Sequence, residues 1–96
     1  MAISKLVYTN LTEVKNTIFK GFVASPSVKD SLFSILTTIQ AKHPKLRLKD
    51  ISFISDTNKE SNFFYLHLTY QNRIIKKVIA KNDLKNIYQI ILELLK

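Results

Sequence analysis

No cysteine occurs in this chain, so it has neither a disulfide framework nor a thiolate metal site, and nothing in it speaks for an oxidising compartment. Glycine occurs once, at Gly21, which rules out phosphate loops built on several close backbone approaches. No apolar run approaches the roughly 20 residues of a membrane span. The opening MAISKLVYTNLTE has no long apolar core or small-residue cleavage site of a secretory signal. These absences lead to the expectation of a cytoplasmic protein without a membrane span. Acids are scarce as well: Glu13, Asp30, Asp50, Asp56, Glu60, Asp83 and Glu93 are scattered, and Glu13, Asp30 and Asp83 are accounted for by helix starts. His43 and His67 are the only imidazoles. Few residues remain for a carboxylate pair or a ligand cluster, so no enzyme activity, metal, cofactor or small-molecule substrate is expected.

What the chain does contain is basic charge on an apolar frame. Its 96 residues suit a single domain, the formal charge is +8, and 46% of residues are hydrophobic. That combination is too apolar for a disordered basic tail and indicates a folded basic module. Its long-range field favours phosphate-rich partners or an anionic lipid surface. Solvated lysines are also an ordinary surface, and of the basic residues only Arg47 and Arg73 are arginine.

The clearest structural signal is NFFYLHLTYQNRIIKKVIAKNDLKNIYQIILELLK, Asn62 to Lys96. It predicts a strand over Phe63 to Tyr70, a tight turn at Gln71 and Asn72, and a strand over Arg73 to Ala80. A final helix is capped at Asn82, with Leu84, Ile87, Tyr88, Ile91 and Leu95 along one stripe. Upstream, Ser25 and Pro26 open a helix running to about Lys42, where Pro44 stops the pattern; Asp30 is placed in its first turn. A strand through Leu32 to Ile39 is the alternative there. Near the start, Val7, Leu11, Val14, Ile18 and Phe22 share a helical face. Asn10 and Glu13 have the spacing of a capping box, so the helix proper runs from Leu11 to about Lys20 and ends at Gly21, after an extended lead-in over Ala2 to Thr9.

Lys45 to Ser55, KLRLKDISFIS, alternates like a strand, but its apolar parity reverses at Asp50, which requires a bulge there or a strand that begins only there. The expected fold is α+β: a three-stranded antiparallel meander with helices on one face, in the order ααβββα. Pairing about Gln71 and Asn72 puts Phe64, Leu66, Leu68, Ile75 and Ile79 under the helices. Tyr65, His67, Thr69, Ile74, Lys76 and Val78 fall on the opposite, open face. The candidate RNA-binding residues are Tyr65 and His67 together with Lys42, Lys45, Arg47, Lys49, Arg73, Lys76 and Lys77, with phosphates held by the cations and unpaired bases stacked on the sheet.

The stretches QAKHPKLRLKDISF and LHLTYQNRIIKKVIAKNDLKNIYQIILELL carry a resemblance. Over Phe33 to Leu95 the chain resembles the Alu-domain subunits of the eukaryotic signal recognition particle, which have a helix, three antiparallel strands and a final helix. It looks closer to the smaller subunit if Asp56 to Asn62 joins the first two strands, and to the larger if Leu32 to Ile39 is the first strand. The resemblance implies a heterodimer whose joined sheets present a concave basic surface to folded RNA, with Arg47, Lys49, Arg73, Lys76 and Lys77 as contacts. Two departures stand out: the Ile3 to Phe22 segment is extra, and Gln71 and Asn72 replace an Asp-bearing turn. A homodimer or heterodimer is expected in either case. The competing expectation is a small protein-interaction or inhibitory module, virus- or plasmid-encoded, acting through its sheet and its N-terminal helix.

Overall fold

The computed structural model describes residues 11–96. The proposed cap at Asn10 and the lead-in over Ala2 to Thr9 lie outside the described residues. Helix α1 covers residues 11–18, where Thr17 Oγ1 donates to the Glu13 carbonyl at 2.9 Å. The chain leaves it through a turn that buries Ile18, Phe19 and Phe22. The helix therefore ends two residues short of the expected limit. Gly21 does not supply a left-handed cap, since no glycine has positive φ. It instead runs as extended chain beside the first strand, in a parallel bridge to Ile54.

Helix α2 is Pro26–Lys42. Ser25 Oγ accepts from the Val28 amide at 3.3 Å, and Pro26 occupies the first turn, where a missing donor costs nothing. Asp30 lies beyond the first turn and forms an ion pair with Lys15 of α1, so its role is to tie two helices rather than to start one. Thr37 and Thr38, which would suit a strand, are accommodated because both hydroxyls donate back to the Ser34 carbonyl, at 2.8 and 3.0 Å. Leu32, Leu36 and Ile39 are the buried stripe.

A short 3₁₀ turn, Leu48–Asp50, resolves the parity switch: Leu46 and Leu48 belong to a loop and turn, and strand β1 begins only at Ile51. Strands β1 (Ile51–Ser55), β2 (Phe63–Tyr70) and β3 (Arg73–Ala80) form an antiparallel sheet in sequence order. Residues 56–62 join β1 to β2. Between β2 and β3, Gln71 and Asn72 have φ of 49° and 66°, the left-handed pair that a two-residue hairpin of type I′ demands.

After β3 the backbone stays bonded to the sheet, because the Lys81 amide donates to the Asn62 carbonyl at 2.7 Å. This continuation of the ladder overturns the cap expected at Asn82. The chain winds as a 3₁₀ helix over Lys81–Asn86 and becomes helix α3 only at Ile87–Leu94. All the helices lie against one face, sealing Ile51, Phe53, Phe64, Leu66, Leu68 and Ile79. At the centre are Phe rings from α1's exit and from the sheet: Phe19 and Phe22 sit 5.5 and 5.6 Å from Phe53, and Phe22 is 5.5 Å from Phe64. Among the described residues no polar or charged residue is buried. The observed order, ααβββα, is that of the α+β fold expected from the sequence.

Candidate nucleic-acid interface

Strict alternation along β2 drives the geometry of the sheet's other side. Burying Phe64, Leu66, Leu68 and Tyr70 forces Phe63, Tyr65, His67 and Thr69 outward. The one-to-one register then fixes their neighbours in rows across the sheet: Ser52, His67 and Lys76 in one, Ile54, Tyr65 and Val78 in the next, with Thr69 beside Ile74 and Phe63 beside Ala80. Tyr65, His67 and Lys76 thus form one patch, and no described helix covers it. Opposed residues in an antiparallel sheet stand about 5 Å apart, which places a cation, an imidazole and a phenol within the span of one nucleotide.

This face carries large apolar groups in the open as well. Phe63, Ile74 and Val78 are 49%, 76% and 57% exposed. It carries no carboxylate. Among the described residues, ion pairs join Lys15 to Asp30, Arg47 to Asp50 and Lys96 to Glu93. The Arg47 to Asp50 pair, at 3.6 Å and partly in water, is worth no more than about 1 kcal/mol and leaves Arg47 free to exchange partners. Among the described residues, Lys45, Lys49, Arg73, Lys76 and Lys77 have no such pair.

The structure sorts the remaining cations by place. β1 starts opposite Leu68, close to the hairpin turn, so Lys45, Arg47 and Lys49, which precede it, lie at the same end of the sheet as Arg73. Lys76 belongs to the open face. Lys77, opposite Leu66, and Arg73, opposite Tyr70, point to the helix side of β3, where both remain exposed. Lys42 is not part of the sheet surface: its Nζ donates to the Tyr88 hydroxyl of α3 at 2.8 Å. That nitrogen stands 5.5 Å from the ring centroid, beyond the hydroxyl and near the ring plane, so the hydrogen bond rather than the ring face holds it.

Sequence reasoning missed Lys20. The bridge between Gly21 and Ile54 carries it to the β1 edge, where it lines a shallow groove of about 580 Å³ with Ser52 and Ile54 of the open face. Only a pairing distant in sequence produces this placement, and no local pattern announces it. Phe63 was legible from alternation alone.

Among the described residues no group of His, Asp or Glu side chains gathers as a metal site, and no helix is long and apolar enough to cross a membrane. In comparisons with known protein families, curated proteins and solved structures, the chain matches none.

Proposed function

We propose that this protein is a non-catalytic RNA-binding module. It takes unpaired nucleotides of a folded RNA on the open sheet face and grips the adjoining phosphates with the cations at the hairpin end. The observation that carries this is the single patch of Tyr65, His67 and Lys76, free of carboxylates, with Lys45, Arg47, Lys49 and Arg73 gathered at the hairpin end of the same sheet. Ring faces stack on any base for about 1 to 3 kcal/mol each, and a duplex would have no use for them. The resemblance to the Alu-domain subunits supports the same role. The connector over 56–62 and the helical state of 32–39 favour its smaller-subunit form.

Fluorescence anisotropy with an RNA hairpin bearing an unpaired loop, against a fully paired duplex, tests the proposal. Affinity for the looped RNA is expected to be the higher and to fall steeply as salt rises. Arg47→Glu combined with Lys76→Glu is expected to weaken binding at least about tenfold across unrelated loop sequences, because phosphate contacts carry no sequence information. Binding indifferent to salt and to the double reversal overturns the proposal. The exposed Phe63, Ile74 and Val78 favour a second reading, a protein-interaction module using the same sheet. Capture of a protein partner in ribonuclease-treated lysate with no measurable RNA affinity would decide for it.

A further inference from the structure

The sheet has two edges, and they are treated differently. At β1 the outer edge is occupied, since the Ser55 amide donates to the Gly21 carbonyl at 2.9 Å and Ser55 Oγ accepts from the Val23 amide at 2.8 Å. No described element pairs with the outer edge of β3. The direction of its backbone groups follows from the register. The Lys81 amide bonds inward to Asn62, and the pairing from Phe63↔Ala80 to Tyr70↔Arg73 contains no bulge. Every second residue therefore bonds to β2, and Ile74, Lys76 and Val78 turn their amides and carbonyls outward. Of the usual protections of a free edge, β3 has neither Pro nor a bulge and relies on the charges of Arg73, Lys76 and Lys77 alone. Along it Arg73, Ile74, Lys76, Lys77 and Val78 are exposed, while Ile75 and Ile79 pack on the core.

Charge decides what fits there. A second copy related by a two-fold axis must pair antiparallel, with residues of the same face opposed. The two registers that use all but one residue of β3 then place Lys76 opposite its own copy, or Lys77 opposite its own copy. Like charges directly opposed destabilise a strand pair. An acidic strand meets the opposite situation: carboxylates at two successive positions reach Lys76 on the open face and Lys77 on the helix side.

We propose that the β3 edge is a docking site for an extended acidic segment of a protein partner, which adds to the sheet as a fourth strand. Ile74, Lys76 and Val78 supply the backbone bonds, and Lys76 and Lys77 select the charge. This site shares Lys76 with the open-face patch proposed for RNA but uses none of the cations before β1, and a peptide tests it with no RNA present, so its failure and that of RNA binding are distinguishable.

Amide exchange on the full chain, followed by NMR at about 0.1 M salt, tests it with a synthetic nonapeptide of alternating Thr and Val around a central Glu-Glu pair. In the protein alone, the Ile74, Lys76 and Val78 amides are expected to exchange fast, while those of Ile75, Lys77 and Ile79 are slow. The peptide is expected to slow the first set at least about tenfold and to bind at least about tenfold more tightly than its Lys-Lys counterpart. Val78→Pro removes an outward amide that a free edge does not need, so the fold is retained and peptide binding is lost. Should that variant not fold, the comparison of the two peptides on the unaltered protein decides. The proposal is overturned if the acidic peptide leaves the exchange unchanged, or if the three amides are already protected without it. Protection independent of protein concentration would mean that the chain fills its own edge, and protection growing with concentration would mean that a second copy does. Protection by single-stranded RNA but not by the peptide overturns it as well.

Discussion

Gln71 and Asn72 turn the chain with φ of 49° and 66°, and neither is a glycine. Left-handed backbone costs an ordinary L-residue about 1 to 2 kcal/mol, less for Asn, whose short polar side chain bonds locally. The hairpin therefore carries strain that the turn residues preferred for this geometry would remove. Replacing the pair by Asn and Gly, Gln71→Asn with Asn72→Gly, is expected to stabilise the protein by roughly 1 kcal/mol. Urea unfolding checks it: the midpoint should rise while the slope stays constant, since the surface exposed on unfolding is unchanged. A lower midpoint would show that Gln71 makes a contribution beyond the turn.

Among the elements, α2 owes its start to a single side chain. Ser25 Oγ satisfies the Val28 amide, and Ser25→Ala is expected to cost about 1 kcal/mol. Thermal unfolding should show the loss, and Ser25→Asp should retain most of the stability. This helix, the β2–β3 hairpin and the turn were legible in the sequence because each is specified locally, by a cap, a two-residue period or a turn pair. The end of α1 and the start of α3 were not. Gly21 departs from a cap because Ile54, far along the chain, offers its strand edge, and Asn82 departs from one because Lys81 is still bonded to Asn62. The same division applies to the candidate site. Alternation placed Tyr65, His67 and Lys76 together, whereas proximity in sequence grouped Lys42 with Lys45 and Lys77 with Lys76 without telling which way each side chain turns. Lys42 belongs to the helix layer through Tyr88, and Lys77 to the other side of its strand.

On the scale of the whole molecule, shielding is lopsided: helices cover β1 and β2 from one side, whereas β3 is mostly exposed, with Ile79 its one buried residue. Along that strand, mutual repulsion of Lys76 and Lys77 between copies is the main obstacle to strand joining, and salt screens it, the Debye length being about 10 Å at 0.1 M. Raising ionic strength therefore lowers the colloidal stability of this protein, and under the proposed function it weakens the phosphate contacts at the same time. Light scattering of the nucleic-acid-free protein is expected to rise with salt, and Val78→Lys, by adding one more cation to the strand, should suppress the rise. Concentrated stocks would then keep longest in dilute buffer, against the common habit of storing basic proteins in brine.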